Sequence, residues 1–169
     1  MKKFLAVIVF SLLLIGVNSV SAQKSSWIVG GKIGMNIDAS TGGGVALQFG
    51  PMGEYVFGPG FAVGTELTIN TFTGTPIAWV DYFKYYFSIR GSSIKPYAHT
   101  GIGLIFATGG PYFAILFGGG ANFPVAKNLY IPADLTLGPI FYSVKAGGVS
   151  YSGTRFSISI TSGIRYYIN

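Results

Sequence analysis

The sequence contains no cysteine. This absence excludes disulfide bonds, thiolate metal ligands, a cysteine nucleophile and a lipid-modified N-terminal cysteine. Charged residues are also scarce, since they make up 9% of the chain, whereas a soluble domain carries roughly 25%. Beyond the N-terminal segment, no continuous apolar run approaches the roughly 20 residues that a membrane-spanning helix needs. The sequence therefore fits neither an ordinary soluble domain nor a helical membrane protein.

The chain is nevertheless very apolar. Half of its 169 residues are hydrophobic, and 26 are glycine. The length predicts one domain. The formal net charge is +6, and +4 without Lys2 and Lys3 of the N-terminal segment. The remaining charge is mild and scattered along the chain, so it gives no indication of a nucleic-acid partner.

The first 22 residues have the three parts of a secretory signal peptide. Lys2 and Lys3 form a basic start, residues 4–17 form an apolar segment, and Val20-Ser21-Ala22 supplies small residues before Gln23. An N-terminal membrane anchor is the alternative, but the apolar segment is short for a spanning helix. We therefore expect a signal peptide over residues 1–22 and a single barrel domain over residues 23–169.

The closing stretch, TRFSISITSGIRYYIN, alternates apolar and polar residues along most of its length. This period of two is typical of a strand with one apolar and one polar face. The same pattern predicts strands over residues 27–38, 45–57, 61–70, 77–89, 95–107, 113–123, 129–142 and 154–169. Eight strands with short connections and no helical period predict an all-β fold, an eight-stranded antiparallel up-and-down transmembrane β-barrel.

Along each predicted strand, every second position carries an apolar side chain, and these positions share one parity. The aromatic residues of this apolar parity fall near the strand ends. In a membrane barrel, such residues form a girdle at each membrane–water interface. A soluble barrel that binds an apolar ligand is the alternative, but its interior could not hold so many large rings. The predicted girdle residues are Trp27, Tyr55, Phe57, Phe61, Phe87, Phe123 and Tyr166 at one end, and Trp79, Phe106, Phe113 and Phe156 at the other.

Some residues fit the pattern less well. Asp81 has the parity of the lipid face, which predicts either a position near the rim or a bulge that shifts the register. Pro51, Pro132 and Pro139 lie inside predicted strands, where each removes a ladder donor. The segment 143–153 is predicted to be the longest loop.

Three segments resemble the small outer-membrane β-barrel proteins of the OmpA/OmpX-like, porin-like type. Residues 95–103, KPYAHTGIG, resemble their PYxxxGxG strand. Residues 118–137 resemble a strand pair around a short turn, with Asp134 where an inward acid is usual, and residues 163–167 resemble the closing strand. One departure is that such chains usually finish on an aromatic residue, whereas this one finishes on Ile168-Asn169.

The resemblance implies a location and partners. It implies export to the outer membrane of a Gram-negative-type bacterium, insertion by the outer-membrane assembly machinery, and contact with membrane lipid and lipopolysaccharide. A monomer is expected.

Charged residues of the opposite parity are predicted to point into the barrel. They form either a polar gate or a neutralised plug, and the plug is favoured because an eight-stranded barrel is just wide enough for side chains to fill. This predicted lumen charge network comprises Lys32, Glu54, Glu66, Lys84, Asp134, Arg155 and Arg165.

No catalytic, metal or cofactor site is predicted. An outer-membrane lipid A deacylase of similar architecture uses a histidine and a serine two residues apart, but Gly101 stands two residues after His99, the one histidine. The aspartates lie on separate strands without metal-ligand spacing, and Gly101-x-Gly103 lacks the third glycine of a dinucleotide loop. The sequence therefore predicts a non-enzymatic barrel of structural or surface-interaction type. A narrow solute or ion channel and a lipid-modifying enzyme are the alternatives.

The first prediction concerns export. We expect the membrane-extracted protein to begin at Gln23, because the small residues before it satisfy signal peptidase. N-terminal sequencing checks this, and a chain that still begins at Met1 would contradict it.

Overall fold

A computed structural model describes residues 26–40, 42–146 and 149–168. The predicted signal peptide lies outside these residues. No helix in the described part is long and apolar enough to cross a membrane. The strands are β1 (Ser26–Asp38), β2 (Val45–Phe57), β3 (Phe61–Asn70), β4 (Ile77–Tyr86), β5 (Lys95–Ala107), β6 (Gly110–Ala126), β7 (Leu129–Ala146) and β8 (Val149–Ile168).

Each strand pairs antiparallel with the next, and β8 pairs with β1, so the sheet closes into a barrel. The predicted fold class is confirmed. The boundaries of several strands differ from the prediction. Strand β4 ends at Tyr86, so Phe87 and Ile89 lie beyond it, and β6 is longer at both ends than predicted.

The predicted loop 143–153 is wrong. Strands β7 and β8 continue through most of it, with Val144 opposite Tyr151 and Ala146 opposite Val149. Small polar residues predict a loop by composition, but once two strands are in register the ladder can continue past the barrel rim. The result is a β-hairpin that extends beyond the neighbouring strands.

The structure shows where the residues that fitted the alternating pattern poorly are placed. Asp81 is exposed on the outer face, and β4 pairs with β3 and β5 without a register shift, so no bulge places it there. The prolines remain within their strands. The β2–β3 ladder skips Gly50 and Pro51, the β6–β7 ladder skips Pro139, and the β7–β8 ladder skips Pro132, as expected where a donor is missing.

The register fixes the tilt of the strands. Lateral partners followed around the barrel from Trp27 return to β1 at Ile37, ten residues further along. A stagger of this size in eight strands requires a tilt of about 40–45°, so each step to the next strand rises about 3 Å along the barrel axis. The partners on this path are Tyr55, Val63, Phe83, Thr100, Phe117, Leu137 and Ile158.

Strand β8 shows how the two faces are sorted. Ser157, Ser159 and Thr161 are buried in the interior, whereas Ile160 and Ile164 are 50% and 58% exposed on the outside. A soluble barrel would turn its apolar residues inward. This barrel has a polar interior and an apolar outer wall, the arrangement of transmembrane barrels.

A substitution pair on β8 tests this arrangement. Ile160→Arg places a charge on the outer wall near mid-height, which costs about 2–4 kcal/mol if that wall contacts hydrocarbon. Ser159→Asn adds a polar group to the polar interior at little cost. We expect Ile160→Arg to fold poorly into lipid vesicles and Ser159→Asn to fold nearly as wild type, as read from the mobility shift of unheated samples. If the serine variant is the damaged one, or if wild type folds without lipid or detergent, the membrane assignment fails.

Candidate functional site: the lumen

The lower end of the lumen, where the chain enters and leaves the barrel, is filled by tyrosines. Tyr86, Tyr97 and Tyr167 are buried there with Ile28. The rings of Tyr86 and Tyr97 meet edge to face with centroids 5.5 Å apart. This layer packs aromatic rings across the lower end of the lumen.

Above the tyrosines lies a buried carboxylate, Glu54, on β2. It accepts hydrogen bonds from Lys84 Nζ at 2.6 Å, from Tyr82 Oη at 3.1 Å and from the Tyr86 hydroxyl. The side chains of Lys84 and Glu54 are 2% and 0% exposed. A charge this deeply buried is tolerable only when it is paired and hydrogen-bonded, and Glu54 meets both conditions.

A second polar chain starts at Arg165 on β8. Its Nη1 donates to Asn122 Oδ1 at 2.8 Å, and its guanidinium lies over the Tyr97 ring at 4.9 Å. The Tyr97 hydroxyl in turn donates to Asp134 Oδ2 at 2.7 Å. Asn122 also donates to the Tyr167 hydroxyl at 3.0 Å. This chain therefore ties β5, β6, β7 and β8 together across the lumen.

Asp134 has two further neighbours. The Thr136 hydroxyl donates to its Oδ1 at 2.8 Å, and His99 Nε2 lies 3.4 Å from its Oδ2. The imidazole occupies space left by a glycine on the next strand, because a Cβ at Gly118 would stand 2.4 Å from His99 Nε2. His99 is therefore part of the packed interior.

The upper lumen has one more ion pair, and the rest of its lining combines neutral polar side chains with apolar ones such as Ala78 and Leu116. Lys32 Nζ donates to Glu66 Oε1 at 2.6 Å, and these side chains are 13% and 15% exposed. Two small cavities flank this pair, one of about 20 Å³ and one of about 50 Å³. A water needs roughly 10–15 Å³, so the cavities have room for a few waters and for no solute of ordinary size. The neutral lining of the larger cavity includes Asn36, Gln48, Thr68, Asn70, Ser157 and Ser159.

Arg155 does not join the predicted lumen network. Its side chain is 54% exposed, it donates to Asp38 Oδ2 at 3.3 Å, and it lies over the Tyr142 ring at 5.2 Å. Its parity is inward, but it stands so far up β8 that it reaches the upper rim. The other six predicted charged residues do lie in the interior.

Several lumen residues were missed by the sequence reasoning. Tyr82, Tyr86 and Asn122 bond the charged groups directly. The two tyrosines share the parity of Lys84 on β4, so the alternation could have identified them. The facing glycine is a further signal, since a Cβ at Gly64 would stand 2.5 Å from the Tyr82 ring.

The predicted girdle residues all lie on the outer face or in the adjoining turn, half-buried or exposed. By the tilt derived above, the lower and upper sets are separated along the barrel axis by about 25 Å, the height of the apolar band of a membrane barrel. Rings also lie between the two sets, where no girdle was predicted: Phe49, Phe83 and Phe117 are exposed at intermediate heights.

The described residues contain no group of three His, Cys, Asp or Glu side chains that could hold a metal ion. The chemical capacity of the lumen lies instead in its matched charges. Each buried carboxylate has a cation or several donors within hydrogen-bonding distance. The arrangement is suited to holding the barrel closed.

The buried pair can be tested by substitution. Glu54→Gln keeps the shape but leaves the Lys84 ammonium without its countercharge, which costs about 3–5 kcal/mol. We expect Glu54→Gln/Lys84→Met to recover more than half of that loss, because the unpaired charge is gone. Urea unfolding in lipid vesicles measures both. Asp38→Asn, which breaks the exposed rim pair, is the control and should cost about 0–1 kcal/mol. Equal losses in all three variants would contradict the pairing.

No protein-family model and no curated protein sequence matches the chain. Solved structures do match its fold. Neisserial surface protein A aligns with a TM-score of 0.63 and 16% identity over 85% of this chain and 99% of that one. The N-terminal β-barrel domain of Pseudomonas aeruginosa OprF aligns with a TM-score of 0.59 and 12% identity over 85% and 98%. A de novo designed transmembrane β-barrel gives a TM-score of 0.59 and 14% identity over 87% and 98%. The closed eight-stranded barrel, its polar interior and these matches together show that the chain has the fold of the small OmpA/OmpX-like outer-membrane β-barrel proteins.

Proposed function

We propose that the protein is an integral outer-membrane barrel of structural or surface-interaction type, non-enzymatic, whose lumen is closed by its own side chains. The observation that carries the proposal is the filled interior. Two ion pairs, Lys84–Glu54 and Lys32–Glu66, cross the lumen at different heights, and a tyrosine layer lies below them. A solute would have to break a buried pair and displace packed rings to pass.

The outer wall supports a bilayer as the surroundings. Large apolar side chains are exposed on every strand, among them Leu47 on β2, Leu104 on β5 and Leu135 on β7. A soluble protein rarely exposes so continuous an apolar surface. Membrane lipid, with lipopolysaccharide in the outer leaflet, would cover it. The outer-membrane assembly machinery would insert the barrel after export.

The β7–β8 hairpin supports the surface-interaction part of the proposal. It extends beyond the upper rim, and Tyr151 on it is 58% exposed. The rings of Tyr112 and Tyr142 pack at its base in a tilted arrangement, with centroids 5.8 Å apart. An exposed aromatic on a supported hairpin is suited to contact another surface, because tyrosine is enriched at interfaces. The other upper connections, 39–44, 71–76 and 108–109, are short.

Conductance measurement tests the closed lumen. We expect the purified protein in planar bilayers to conduct little or nothing, because the ion pairs and the tyrosine layer block the path in series. Glu66→Ala should unfold more easily, since it leaves Lys32 unpaired, and it should still not conduct, because the lower layers remain. A large-pore porin is the positive control. A steady, large conductance from the wild-type protein would contradict the closed lumen and favour the channel alternative.

A further inference from the structure

Asp81 is an acid that stands apart from both the lumen network and the rim pair Arg155–Asp38. Asp81 lies on the outer face of β4, between the two sets of girdle residues. Its lateral partners run through Thr65 and Gly53 to Val29, two residues above Trp27 on β1. The strand tilt places Thr65 about 11 Å and Asp81 about 14 Å above Trp27, close to the middle of a band about 25 Å tall.

Contacts within the chain use only part of the hydrogen-bonding capacity of the Asp81 carboxylate. Trp79 Nε1 lies 3.1 Å from Asp81 Oδ1, but the same N–H also lies 2.8 Å from Thr65 Oγ1. An indole has one hydrogen to donate, whereas a carboxylate can accept about four hydrogen bonds. Lipid tails offer no donor, and an acid in the hydrocarbon is costly unless it is partnered.

A shallow depression lies around Asp81 on the outer face, and we call this region the lateral notch. It has a volume of about 780 Å³ and extends from Trp27 on β1 to Ile115 on β6. Gly53, Thr65 and Thr100 are small and let another surface approach, whereas Trp27 and Phe83 are large and border the notch below. Small residues beside polar ones are the composition at which membrane-embedded proteins associate.

We propose that the lateral notch binds a second copy of this chain, with a two-fold axis parallel to the membrane normal that passes between β3 and β4. The patch is self-complementary. Thr65 Oγ1 accepts from Trp79 and keeps its own hydrogen to donate, while Asp81 needs a donor. A two-fold axis at that position sets Thr65 of each copy against Asp81 of the other, as an isologous interface requires.

The depth of the two residues supports this axis. Thr65 and Asp81 differ in height by about 3 Å, so two copies with the same membrane orientation bring them together without a vertical shift. Each contact is a charge-assisted hydrogen bond, the stronger class of such bonds. The proposed dimer differs from the monomer expected from the sequence, since the sequence alone did not show that Asp81 lies so far from the rim.

Cross-linking of a single introduced cysteine tests the interface, because the chain has none of its own. Leu67→Cys lies on β3 beside Thr65. Leu135→Cys, on β7 at the opposite wall, is the matched control, since both leucines are 46% exposed. Each full-chain variant is reconstituted in lipid vesicles at high dilution and treated with a short bis-maleimide. We expect Leu67→Cys to give a cross-linked dimer and Leu135→Cys to remain a monomer.

The polar contact is tested in the Leu67→Cys background. Asp81→Leu and, separately, Thr65→Val should lower the cross-linking yield at least tenfold. Asp81→Leu should fold into vesicles at least as well as wild type, because it removes an acid from the apolar wall, and the gel-mobility shift reports this. If Leu67→Cys cross-links no better than Leu135→Cys, or if both polar variants leave the yield unchanged, the dimer is overturned. A cross-link only to a chain of different mass in native membranes would also overturn it.

Discussion

The pairing of β8 with β1 is the contact on which the rest of the molecule depends. In an apolar surrounding, every backbone amide and carbonyl must find its partner within the protein, and an open sheet would leave two edges unpaired. The ladder from Trp27–Ile168 to Asp38–Ser157 removes both edges over the full length of β1. Closure also fixes the lumen, because eight strands with a stagger of ten residues enclose a space that side chains can fill.

In a lumen of that size, buried charges need hydrogen-bonding partners from the protein itself. Glu54, which is fully buried, has room around it for three donors and no room for bulk water. Charges in such a space must therefore be matched by neighbours on other strands, and the matching couples strands that are not adjacent. Glu54 on β2 is bound to Lys84 on β4, and Arg165 on β8 to Asn122 on β6. These hydrogen bonds thus brace the barrel across its diameter as well as around its wall.

The sequence was enough to predict the number of strands, the closure of the barrel and its two faces. Each of these depends on the alternation of apolar and polar residues, which does not change when strands tilt or twist. It placed six of the seven charged residues in the interior on parity alone. It failed where height mattered. Arg155 has inward parity but reaches the rim, and Asp81 has outward parity but lies near mid-height. Parity is a local property of one strand, whereas height depends on the register of all eight, which the sequence does not display. The loop prediction for residues 143–153 was wrong for a related reason. The small polar residues of this segment can form strands once β7 and β8 are in register.

On both faces of the barrel a buried or lipid-facing polar group needs hydrogen-bond partners, but the two faces offer different partners. Inside, a carboxylate such as Asp134 finds Tyr97 and Thr136 within its own chain, because every strand contributes to a common space. Outside, the barrel wall is convex apart from shallow depressions such as the lateral notch, so side chains of neighbouring strands diverge from one another. Asp81 accepts from the Trp79 N–H, which it shares with Thr65. Such a wall offers a carboxylate few donors from its own strands, so an acid retained there at mid-height is satisfied best by a surface that approaches from outside the barrel.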